Sequence, residues 1–111
     1  MNILDPVYTT NKLRYKVADI KQSLRRREDL QHLFVLVLNP ASGCSLEYYS
    51  WKLLYRIDPE NSGLTLAGFA EGKEKAKELV IEITQEALDK TGSADAAAYL
   101  AAKHTEEFKW F

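Results

Sequence analysis

The chain is short of the residues that most catalytic, metal-binding or secreted proteins depend on. Among 111 residues there are one cysteine, two histidines, three prolines and five glycines. A lone cysteine, Cys44, excludes an intramolecular disulfide, a redox Cys-x-x-Cys pair and a zinc cluster built from several thiolates. A reducing, cytoplasmic setting is the expectation that follows. His32 and His104 are far apart and belong to no HxxxH or HExxH pattern, so no metal and no cofactor are expected. The longest apolar run, Leu33 to Leu38, is much too short to cross a bilayer. The opening MNILDPVYTT lacks the basic and continuous apolar regions of a secretory signal. GxxxxGK[ST], GxGxxG and GxSxG are all missing, which removes support for nucleotide binding and serine hydrolysis. No internal repeat or low-complexity tract is found.

What is present describes an ordinary folded domain. An apolar fraction of 46% and a charged fraction of 28% suit one globular unit of this length. A single domain over residues 1–111 is expected, with a core at about 11–92 and a helical C-terminal extension over 93–111. Formal net charge is −1, but its distribution is uneven. Residues 1–27 carry seven basic side chains against two acidic ones, and the remaining 84 carry eight against fourteen. Such polarity can orient a chain on a partner of opposite pattern.

Leu13, Val17, Ile20 and Leu24 share one helical stripe and predict a first helix over Asn11–Asp29, although Lys12 to Val17 also alternates with the period of a strand. LFVLVLN (33–39) reads as a strand ended by Pro40 and Ser42-Gly43. A connection over 41–50 follows, holding Cys44 and the pair Tyr48-Tyr49. WKLLYRI (51–57) alternates Trp51, Leu53, Tyr55 and Ile57 on one face and reads as a second strand. Asp58-Pro59 and Asn61-Ser62-Gly63 mark a turn, and LTLAGFA (64–70) returns antiparallel, with Gly68 signalling a bulge or a close backbone approach. Ala76, Leu79, Val80, Ile83 and Ala87 predict a helix over Lys73–Lys90, its apolar face widened by Ile81 and Leu88. Gly92 should cap it, and Ser93 should open a third helix over about 94–103. Phe108, Trp110 and Phe111 are expected to fold back onto the body. The fold class expected is α+β: an αβββα(α) order with a three-stranded antiparallel sheet covered by helices mainly on one face.

Candidate chemistry is thin. Cys44 sits among small residues in Ser42-Gly43-Cys44-Ser45, but a thiol nucleophile needs a base within hydrogen-bond reach, and His32 and His104 are the only imidazoles that could serve. Glu74, Glu78, Glu82, Glu86 and Asp89 recur at helical spacing and read as a solvated face rather than as carboxyls converging across a cleft. Two basic clusters stand out. One is Lys21, Arg25, Arg26 and Arg27 at the end of the first helix; the other is Lys73, Lys75 and Lys77 behind Gly72, where a helix N-terminus offers N–H groups to a phosphate.

The αβββα order together with Lys73, Ala76 and Lys77 resembles the double-stranded RNA-binding domain over roughly residues 15–90. The resemblance implies a phosphate grip by Lys73, Lys75 and Lys77. The chain departs from that pattern at Glu74, which stands in place of a second lysine, and in the 40–50 loop, which lacks the Gly-Pro-x-His element that reads the minor groove. Small size, one cysteine and the segment GLTLAGFAEGKEKAKELVIEI also look like the accessory and anti-defence proteins of phages and mobile elements, anti-CRISPR inhibitors among them. That resemblance implies action by binding a macromolecular partner. The function expected is a non-enzymatic module or inhibitor that engages a protein through Lys21, Arg25, Arg26 and Arg27. The alternatives are nucleic-acid binding through Lys73, Lys75 and Lys77 and, third, a Cys44-dependent enzyme.

Overall fold

A computed structural model of the chain describes residues 2–26, 30, 32–39, 45–57 and 65–108. β1 (Asn2–Thr9) leads into a 3-10 helix (Asn11–Lys16) and α1 (Val17–Arg25). β2 (Leu33–Asn39) and β3 (Ser45–Ser50) precede α2 (Trp51–Ile57), and β4 (Thr65–Glu71) is followed by α3 (Lys73–Thr91) and α4 (Ala96–Phe108). The described strands form one sheet in the order β1-β4-β2-β3. β1 and β4 are parallel, whereas β2 runs antiparallel to both β3 and β4.

The expected three-stranded antiparallel sheet with helices on one face is therefore overturned: the sheet is mixed, and helices cover both faces. One face packs Leu4, Leu36, Leu38, Ala67 and Ala70 against Ala76, Leu79 and Ile83 of α3 and Ala96, Ala97 and Leu100 of α4. The other packs Leu33, Val35, Val37, Leu66 and Phe69 against Leu13, Leu24, Trp51 and Leu54. This explains why LFVLVLN is an unbroken apolar run. A strand enclosed on both sides has no solvent face to fill with polar residues.

Three further corrections concern elements. The expected connection over 41–50 holds a strand, β3 (Ser45–Ser50), paired antiparallel with β2. WKLLYRI is helical, with Trp51 and Leu54 buried three residues apart and Leu53 47% exposed. Its period-two pattern is accidental, and the local signal is Ser50, whose Oγ accepts the Leu53 N–H at 3.1 Å as an N-cap. β1 was not anticipated at all, because Asp5-Pro6 interrupts NILDPVYT. An edge strand tolerates proline, and the pairing skips from Ile3↔Leu66 to Tyr8↔Gly68 around it.

Gly68 marks both a bulge and a close approach. Between Leu36↔Gly68 and Val37↔Leu66, Ala67 is the extra residue on β4. A Cβ at Gly68 would lie 2.9 Å from the Tyr8 carbonyl oxygen and 3.2 Å from Leu79 Cδ2. The first helix is shorter than expected and starts as 3-10, ending at Arg25. On α3 the apolar stripe is narrower than the sequence suggests, since Ile81 is 67% and Leu88 43% exposed. Gly92, with φ of 77°, closes α3 by donating to Leu88 O at 2.9 Å. α4 is capped by Asp95, which accepts the Ala98 N–H at 3.1 Å, two residues beyond the expected Ser93. The turn over 58–64, Arg27, Cys44, Trp110 and Phe111 lie outside the described residues. Among the described residues no helix is long and apolar enough to cross a membrane.

Candidate functional site

The two predicted basic clusters fall on opposite sides of the sheet. Lys21 is half-buried on α1, Arg25 is the last residue of that helix, and Arg26 is exposed in the turn beyond it, its N–H held by Gln22 O at 3.0 Å. Lys73, Lys75 and Lys77 are exposed in the first turns of α3. At 3.6 residues per turn Lys73 and Lys77 lie about 40° apart, while Lys75 points to roughly the opposite side. The three do not converge. Lys75 pairs with Glu78 at 3.3 Å and Lys77 with Glu74 at 3.8 Å, so α3 neutralises part of its own charge. The αβββα order behind the RNA-binding resemblance is absent as well, because residues 51–57 are helical and β1 joins the sheet. His32 is exposed with φ of 65°, and its carbonyl accepts the Gly72 N–H at 2.8 Å. Its proposed partner Cys44 and the imidazole of His104 lie outside what is described.

The 3-10 helix and α1 build a different feature. Because β1 feeds directly into them through Thr10, the layer folds back beside its own strand and leaves a groove of about 380 Å³ between the two. Val7 and Val17 give it apolar walls, Thr9 and Thr10 add hydroxyls, and Arg14 and Lys21 supply positive charge. Lys12 and Lys16 stand exposed nearby on the same layer, and Tyr15 is 90% exposed. Lys12, Arg14, Lys16 and Lys21 form no ion pair among the described residues. Lys21 was expected at a binding surface. Arg14, Val7 and the groove itself were missed, since without β1 nothing in the sequence provides the second wall. The signal that could have found it is the pairing of Ile3 and Val7 on one face of NILDPVYT with Leu4 and Tyr8 on the other.

On the opposite face a polar clasp joins three elements. Glu86 on α3 accepts hydrogen bonds from the hydroxyls of Tyr8 on β1 and, at 2.8 Å, Tyr99 on α4. Burial and the Glu86 carboxylate push the Tyr8 phenol above its ordinary pKa, and the hydrogen bond to Glu86 followed by burial does the same to Tyr99. Both tyrosines are thereby held as neutral donors. The arrangement ties the strand and α4 to α3.

Among the described residues no group of three or more His, Cys, Asp or Glu side chains is placed to hold a metal ion. Comparison with protein-family models, with curated proteins and with solved structures found no match.

Proposed function

We propose that this chain is a non-enzymatic binding module that recognises an acidic stretch of a protein partner in the groove between β1 and α1. The carrying observation is the pair Arg14 and Lys21, cations with no ion pair among the described residues, at a groove whose walls include Val7 and Val17. Charge brings an acidic segment to the layer, apolar walls accept the side chains between its carboxylates, and Tyr15, exposed on the same layer, is the kind of aromatic that anchors interfaces. A protein strand suits a narrow groove with apolar walls better than a nucleic-acid backbone, which needs a broad track of cations. Lys21 and Arg26 extend the positive surface toward the end of the layer. In the accessory or inhibitor role implied by the resemblance to anti-defence proteins, occupation of a site on a nucleic-acid-processing complex is the whole of the action.

The test is fluorescence anisotropy of the full chain against a labelled peptide alternating glutamate with valine or tyrosine, with duplex RNA and duplex DNA alongside. The peptide should bind, more weakly as salt rises, and Arg14→Glu with Lys21→Glu should abolish the signal. Tighter binding to either duplex, lost on replacing Lys73, Lys75 and Lys77, would instead support the phosphate-gripping alternative.

A further inference from the structure

β1 and β4 lie side by side and run in parallel, and the chain leaves their carboxyl ends toward opposite faces of the sheet. After Thr9 it enters the 3-10 helix on the Trp51 side, where Leu13 is buried. After Glu71, Gly72 with φ of 89° turns it into α3 on the other side. Where neighbouring parallel strands send their connections apart, the two connecting segments cannot close over the strand ends, and a crevice remains that open α/β sheets use for ligands.

Here that crevice measures about 390 Å³, within the range of small-molecule sites. It has two chemically opposite walls. Lys12 comes from the 3-10 helix, and Glu82 comes from α3; neither makes an ion pair among the described residues. The groups between them are already engaged: Thr10 Oγ1 donates to Glu71, and Lys75 pairs with Glu78 at 3.3 Å. Leu79 adds an apolar surface. A polyanion is opposed by Glu71, Glu78 and Glu82, and a simple cation would leave Lys12 facing like charge. A molecule carrying one charge of each sign answers both walls.

We infer that the crevice binds a small zwitterion of the amino-acid class, with Lys12 taking its carboxylate and Glu82 its ammonium group. Arg14 and Lys21 of the neighbouring groove take no part, so this site stands or falls separately from the partner-binding reading.

The experiment is thermal unfolding and calorimetric titration of the full chain with the common L-amino acids and glycylglycine, with propionate and ethylamine as probes carrying one charge each. At least one zwitterion should raise Tm and give a saturable calorimetric isotherm, with neither single-charge probe matching it. Lys12→Met and Glu82→Gln should each weaken that binding by about tenfold or more, a loss near 1.4 kcal/mol, while the free variants melt with the parent. Absence of both a Tm shift and binding heat with every zwitterion at about 10 mM, ten times a millimolar Kd, would overturn the inference. So would equal binding of propionate or ethylamine, or undiminished binding by both variants.

Discussion

The two helical layers that enclose the sheet are built on different terms. The α3–α4 layer is long, capped at Gly92 and Asp95, and packed through alanines that bring helices close to the strands: Ala67, Ala70, Ala76, Ala87, Ala96 and Ala97 are all buried. Its surface lysines are partly neutralised within the helix, and Tyr8–Glu86–Tyr99 fastens it to β1. The opposite layer consists of three short segments, and neither its 3-10 helix nor α1 has a side-chain N-cap bond. It fills its half of the core with a few large groups, Trp51 foremost, which packs with Phe69 of β4, and its Lys12, Arg14, Lys16 and Lys21 form no ion pair among the described residues. One layer is organised for cohesion, and the other, on the function proposed above, keeps its charge for a partner.

On that contrast, cohesion on the Trp51 side of the sheet should hang on very few residues. Trp51 is 1% exposed and belongs to a helix of only seven residues, so Trp51→Ala removes the larger of the two described α2 side chains buried against the sheet. A loss of about 3–5 kcal/mol is expected, the range for truncating a buried aromatic, measured by urea unfolding. On the cohesive side, Ile83→Val should cost about 0.5–1.5 kcal/mol, because Leu79, Ala87 and Leu100 continue to fill that region.

The seam between the layers gives the next effect. Gly68→Ala would place a methyl 2.9 Å from the Tyr8 carbonyl oxygen, a backbone atom that can retreat only if β1 shifts on β4. Destabilisation of about 1–3 kcal/mol is expected from overpacking, together with faster amide exchange across β1. Unchanged stability would mean that β1 is held loosely and the groove it walls is not a fixed feature.

The same elements show how much could be read from the residues. β2, β4, α3 and the Gly92 cap were legible because each carries a strong local signal: a continuous apolar run, a glycine-marked strand, a helical stripe, a left-handed terminator. The failures share a cause. WKLLYRI is too short for period two and period 3.6 to be told apart, and the decisive contacts of Trp51 and Leu54 are with strands distant in sequence. β1 hides behind Asp5-Pro6, tolerable only because its partner strand lies on one side. Parallel pairing of β1 with β4, some sixty residues away, has no local signature. The groove and the crevice both border β1, so neither was visible until that strand was placed.

The clasp offers a pH test of the cohesive layer. Folding raises the Tyr8 and Tyr99 phenols above their usual value, so the unfolded chain loses those protons first. Their stabilisation is complete below about pH 10 and is lost as pH rises beyond it toward the folded values. Unfolding free energy measured from pH 8 to 11 should therefore fall at the alkaline end. Tyr8→Phe should cost about 1.5–3 kcal/mol at neutral pH, the scale of a hydrogen bond to a charged acceptor, and should flatten the alkaline decline. Asp95→Ala, which removes the α4 cap, is expected to cost about 0.5–2 kcal/mol without altering that pH profile.

The smallest effect on stability is the one that most sharply separates the layers. Arg14 and Lys21 lie on a layer where six basic residues, from Lys12 to Arg26, face one acid, Asp19. Neither makes an ion pair among the described residues, so reversing their charge removes no attraction and relieves some repulsion. Arg14→Glu and Lys21→Glu should each change unfolding free energy by no more than about 0.5 kcal/mol, with a slight gain favoured at low salt, where screening is weakest. A cost well above that would show the cations to be structural. A protein that keeps its stability and loses acidic-peptide binding would show that charge on this face is held in reserve for a partner, since the fold neither consumes it nor needs it.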